Sequence, residues 1–88
     1  MDRVSEFLEQ RCSFAETYKI EGEILYQAYD KWCRENKVFR EGRNTFYHDV
    51  ELLGAEKGVK RIKPKHKVWF KGVDLKEEIE RARQEPIE

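Results

Sequence analysis

Apolar residues return every three or four positions in three stretches of the chain and alternate in two others. Val4, Phe7, Leu8 and Cys12 follow the helical spacing and predict a first helix over 2–12, with Asp2 at its positive end. Ser13 to Thr17 breaks that period and reads as a connector. Tyr18-Lys19-Ile20 suffices only for a short edge strand, with Ile20 inward. The most continuous stripe is Leu25, Ala28, Tyr29, Trp32 and Cys33, flanked by Ile24 and Tyr26. It predicts a second helix opened by Glu21-Gly22 and closed by Asn36 in a left-handed conformation. Residues 37–42 form a turn in which Val38 and Phe39 act as partial plugs. A third helix follows over 43–53, with Phe46, Val50 and Leu53 inward and Gly54 as its stop.

Residues 56–62 and 67–73 alternate as strands do, around a tip at Pro64-Lys65, since proline is kept out of the paired ladder. The face of the first strand is undecided, because Val59/Arg61 and Lys60/Ile62 each offer one apolar residue. Val68-Trp69-Phe70 is apolar on both faces. A thinly apolar helix over 74–83 (Leu75, Ile79, Ala82) ends at Pro86. This order predicts an α+β winged helix-turn-helix: three helices, a short strand, a C-terminal β-hairpin wing and an extra C-terminal helix. Residues 1–73 form the domain and 74–88 an acidic helix or tail.

The chain has 88 residues, 39% hydrophobic and 41% charged, which suits one domain with a modest core and a well-solvated surface. No apolar run approaches the ~20 residues that span a bilayer, and the start carries no secretory pattern. Cys12 and Cys33 lie on apolar stripes and read as reduced core residues of a cytoplasmic protein.

Net charge is zero, but it is unevenly placed. Residues 1–36 carry −3, residues 37–73 carry +6 and residues 74–88 carry −3. One basic face on an acidic body follows.

That basic segment holds the candidate contact groups. On the first turns of the third helix they are Arg43, Asn44, Thr45, Tyr47 and His48, which can read base edges or grip phosphates. Asp49 and Glu51 would repel the backbone and confine contact to the helix start. On the wing, Lys60, Arg61, Lys63, Lys65, His66 and Lys67 occur with no acid between them. Each phosphate neutralised contributes about 0.9 to the salt slope, so three or four contacts give weak, salt-sensitive binding. The aromatics at helical spacing belong to the core, with Tyr26 and Tyr47 as exceptions because they lie off the stripes.

No catalytic constellation is visible. Cys12, Cys33, His48 and His66 lack zinc-ligand spacing, Cys33 has no base beside it, and there is no Gly-rich phosphate loop. No cofactor or metal is expected.

The run Leu25-Tyr26-x-x-Tyr29-x-x-Trp32-Cys33-x-x-Asn36 resembles a pattern of the carboxy-terminal domain of phage and plasmid primase-helicases related to the poxvirus primase-helicase. Val4-x-x-Phe7-Leu8-x-x-x-Cys12, Phe46-x-x-x-Val50-x-x-Leu53-Gly54 and Trp69-Phe70-Lys71-Gly72-Val73-x-Leu75 look like that family's first helix, third helix and closing strand. The resemblance spans residues 4–75. It implies a module that engages DNA at replication initiation beside an ATPase motor, and that motor is absent from these residues. Where the family often has Ser or Thr at the third-helix cap, this chain has Glu41-Gly42.

The expected partner is duplex or forked DNA, held mainly through phosphates, with a primase-helicase motor as a second partner, no membrane, and a monomer in isolation. Two other readings stay open: a protein-interaction winged helix docking through its acidic segments, and a small dimeric transcriptional regulator using Leu75, Ile79 and Ala82.

Overall fold

The computed structural model describes residues 3–84. The expected helix start at Asp2 and stop at Pro86 lie outside the described residues. Helix α1 (Arg3–Arg11) leads into strand β1 (Cys12–Glu21), then helix α2 (Gly22–Asn36) and helix α3 (Arg43–Gly54). Strand β2 (Lys60–Ile62) and strand β3 (Trp69–Leu75) form the hairpin, and helix α4 (Lys76–Gln84) closes the described chain. The architecture is α+β, with the element order of a winged helix-turn-helix and a three-stranded antiparallel sheet ordered β1-β3-β2.

The helices bury the stripes that define them. Val4, Phe7, Leu25, Tyr29, Phe46 and Val50 are fully enclosed, together with Phe70 and Val73 from the sheet. Tyr29 is the hub: its ring stacks on Phe46 at 4.5 Å and meets the edge of Phe7 at 5.6 Å. Pairs of this geometry add about 0.5–1.5 kcal/mol beyond area burial.

Strand β1 is longer than expected. Cys12, Ser13 and Phe14, read as helix end and connector, pair with Leu75, Asp74 and Val73. Pairing resumes with Lys19, Ile20 and Glu21 against Lys71, Phe70 and Trp69. Residues 15–18 therefore stand opposite Gly72 alone, an outsized bulge. Gly72 adopts φ +91°, and a methyl group there would lie 2.7 Å from the Gly58 carbonyl oxygen. Only glycine fits. β3 in turn runs through Leu75, and α4 begins two residues later than its expected start at Asp74, whose carboxylate accepts a bond from the Leu75 N–H at 2.8 Å.

Two helix ends also differ from expectation. Lys37, not Asn36, takes the left-handed position (φ 56°), and the Val38 N–H reaches back to the Cys33 carbonyl at 3.0 Å. Asn36 instead uses its side-chain amide to bond the Trp32 carbonyl at 2.8 Å. α3 ends at Gly54 as expected, but Gly54 is right-handed (φ −87°) and not a left-handed cap. The chain continues through a 3₁₀ turn (Ala55–Lys57) to Gly58 at φ 86°, where the Val59 N–H bonds the Gly54 carbonyl at 2.9 Å. What Gly54 provides is room: a methyl there would lie 2.6 Å from Val59.

Candidate nucleic-acid interface

The turn between α2 and α3 is pinned by two tyrosines. Tyr26 donates its hydroxyl to the Glu41 carbonyl at 2.9 Å, and the Glu41 N–H donates to the Tyr29 hydroxyl at 3.1 Å. These bonds set where α3 begins. Gly42 occupies the cap with no side-chain bond. Phe39, expected as a plug, is 79% exposed, because its backbone turns outward between Val38 and the pinned Glu41.

α3 presents Arg43, Asn44, Thr45 and His48 to solvent, while Phe46, Val50 and Gly54 face the core. Tyr47 does not join the exposed set. It is 6% exposed, its ring edge on Phe70 at 5.7 Å, and it fills the space left by the missing side chain of Gly22. Tyr26, also expected to be exposed, is buried beneath the guanidinium groups of Arg43 (5.2 Å) and Arg40 (5.8 Å). Both rings sit at the flanks of their helices, where a neighbouring element covers them.

The wing divides by face. Arg61, paired with Phe70, lays its guanidinium over the Tyr47 ring at 5.5 Å, with Glu51 at 3.7 Å, and is itself exposed. Lys60, Lys63, Lys65, His66 and Lys67 are exposed. The tip is held by a bond from the Lys67 N–H to the Pro64 carbonyl at 3.0 Å, with Lys65 (φ 51°) and His66 (φ 69°) both left-handed. A left-handed residue other than glycine costs about 1–2 kcal/mol, so the tip keeps a conformation that the surrounding turn imposes.

α3 and the wing converge on the start of α2. Glu23 accepts a hydrogen bond from Arg43 at 3.1 Å, Glu21 lies 3.7 Å from the Lys67 ammonium, and the Gly22 N–H bonds the Val68 carbonyl at 2.7 Å. A shallow cleft lined by Glu21, Glu23, Tyr47, His66, Lys67 and Val68 separates the two. Two carboxylates thus sit inside the basic surface, each engaged by a cation at its edge. Neither was singled out from sequence, because both precede the net-positive segment.

The family model that describes poxvirus D5 protein-like sequences matches residues 1–82. The chain belongs to the poxvirus D5 protein-like family. No curated protein matches the chain. Membership in the D5-like family relates the chain to a primase-helicase domain.

Sequence reasoning overlooked several cations near this surface. Arg40 bonds Asp30 at 2.8 Å, and Arg34 reaches the same carboxylate from one helical turn away. Burial opposes ionisation of Asp30, but the hydrogen bonds from Arg40 and Arg34 outweigh it and hold the carboxyl below its ordinary range. Lys19 and Lys71 lie on the outer face of the sheet. Among the described residues no group of His, Cys, Asp and Glu is placed to hold a metal ion, and no helix is long and apolar enough to cross a membrane.

Proposed function

We propose that this chain is the DNA-binding module of a primase-helicase-type replication protein. It contacts phosphates with the first turn of α3 and the tip of the wing, and the ATPase motor lies outside these residues. The observation that carries this reading is the exposed Lys63-Pro64-Lys65-His66-Lys67 tip, held in shape by its own turn beside Arg43, Asn44, Thr45 and His48. Membership in the D5-like family supports it. Burial of Tyr47 and the packing of Arg61 over its ring narrow the surface to the helix start and the tip, while Lys60 lies on the opposite face of the sheet. Contact is mainly to phosphates, so affinity is modest and falls with salt.

Anisotropy with duplex and forked oligonucleotides across a salt series tests it. Charge reversal of Lys63 and Lys65 to Glu should weaken duplex binding at least ~10-fold at low salt and lower the slope by about two. A folded double variant that binds as the parent does would remove the wing from the interface.

One observation favours a second reading. Phe39 is 79% and Leu52 65% exposed, the two most exposed large apolar side chains among the described residues. A protein-docking winged helix would use them and would show no DNA affinity even at ~50 mM salt, where electrostatic binding is strongest. The regulator reading has less to work with, since Leu75 is a buried strand residue and leaves Ile79 and Ala82 for any dimer contact.

A further inference from the structure

The sheet has an outer face that the α3–wing reading does not use. In the register, Lys19 pairs with Lys71, and Lys71 pairs with Lys60, so three lysines form one rung straight across all three strands. All three are exposed, while their neighbours Ile20 and Phe70 are buried under the helices, so the rung faces away from the core. Like charges directly opposite one another in a sheet destabilise it. Here the central lysine has a lysine on each side, and among the described residues no carboxylate pairs with any of the three.

The next rung on the same face is Glu21, Trp69 and Ile62. Glu21 is engaged by Lys67 at 3.7 Å. Trp69 is half-buried, with the Lys19 ammonium 5.5 Å from its ring centroid, and Ile62 is 37% exposed beside it. The face thus sets a row of cations against an aromatic ring and an aliphatic side chain. At one edge of this face Asp74 and Glu78 line a cleft together with Lys19, Glu21 and Trp69, so carboxylates border the lysine rung on that side.

We infer that this outer face binds single-stranded nucleic acid: Lys19, Lys71 and Lys60 follow the phosphates, and Trp69 stacks against an unpaired base as Lys19 swings off the ring. A single strand presents phosphates along one edge and accessible base faces along the other, which matches a cation rung beside an aromatic one. A duplex keeps its bases stacked inside and has no use for Trp69. The surface is separate from α3 and the wing tip, and its binding does not depend on theirs.

The test uses the whole chain and two ligands, an oligothymidylate of about 20 nucleotides and a duplex of the same length. The K19A/K71A variant should bind the single strand about 5- to 10-fold more weakly, with a salt slope smaller by about 1.4, and bind the duplex within about twofold of the parent. Ligand quenching of tryptophan fluorescence should be present in the parent and lost in W69F. Both variants alter accessible side chains, and circular dichroism checks their folding. An unchanged single-strand affinity overturns the inference. So does equal weakening of both ligands, or displacement of the oligonucleotide by polyglutamate at matched charge, which would mark the face as a site for acidic protein. The Lys63/Lys65 charge reversal reports on the wing through the duplex arm, so the two readings fail separately.

Discussion

The N–H of Glu41 donates a hydrogen bond to the hydroxyl of Tyr29 at 3.1 Å, joining the corner between α2 and α3 to the largest fully buried side chain in the core. Burial pushes that hydroxyl up to about 12, so it stays protonated. Tyr26 completes the clamp by donating to the carbonyl of the same residue. The position of the α3 start is therefore set by core packing, not by a capping side chain.

Removing the Tyr29 hydroxyl leaves a partly buried N–H without its acceptor. Tyr29→Phe should cost about 1–3 kcal/mol, because an unmade bond in a buried setting carries the desolvation penalty. Tyr26→Phe should cost less, about 0.5–1.5 kcal/mol, since a carbonyl keeps a second acceptor site. Urea unfolding of the two variants measures the order. A Tyr29→Phe protein no less stable than Tyr26→Phe would show that Glu41 finds another partner.

Glu23 accepts a hydrogen bond from Arg43 at 3.1 Å, and under the proposed function it would compete with phosphate for that guanidinium. Glu23→Gln should raise duplex affinity about two- to fivefold, the effect of ~1 kcal/mol between charges in a high dielectric. The gain should fade as salt rises, which titrations at low and high salt will show. Exposed pairs of this kind add little to stability, so the melting temperature should barely move.

Asp30 gives the chain a defined acid response. Its carboxyl is held below the ordinary range by Arg40 and Arg34, so the folded state binds its proton less readily than the unfolded one. The stability this contributes is present above the ordinary carboxylate pKa of about 3.9 and is lost as pH falls through the lower folded value. Thermal melts between pH ~2 and ~5 should therefore fall more steeply for the parent than for Asp30→Asn. Parallel curves would separate the carboxylate from the two arginines in solution.

Much of this was legible in the periodic stretches. α2 and α3 lie where the stripes of Leu25 to Cys33 and Phe46 to Leu53 place them, since burial of a helical face is written locally. β1 was legible only from Tyr18 to Ile20. Cys12, Ser13 and Phe14 become a strand through pairing with residues more than fifty positions away, which no local pattern expresses. Val59 and Arg61 face inward because Val59 packs on the bare backbone of Gly54, settling a choice the alternation left even. Of the candidate contact residues, Arg43, Asn44, Thr45, His48 and the wing-tip cations are exposed as expected. Tyr47 is not, because it is buried with the Arg61 guanidinium over its ring, while Arg61 itself stays exposed. The lysine rung was invisible for a similar reason: its members come from three strands and align only once the register is known.

The bulge at residues 15–18 also bears on how copies of this protein meet in concentrated solution. A ten-residue strand at the margin of a sheet offers a long row of unsatisfied amides to any passing strand, the usual start of edge-to-edge aggregation. Here the row is cut in two, because four consecutive residues leave the ladder opposite Gly72. At the opposite margin β2 is three residues long and is followed within two positions by Pro64. Neither margin provides an uninterrupted template for intermolecular pairing. The irregularity that hides β1 from a reading of the sequence also keeps the sheet from growing beyond its own chain.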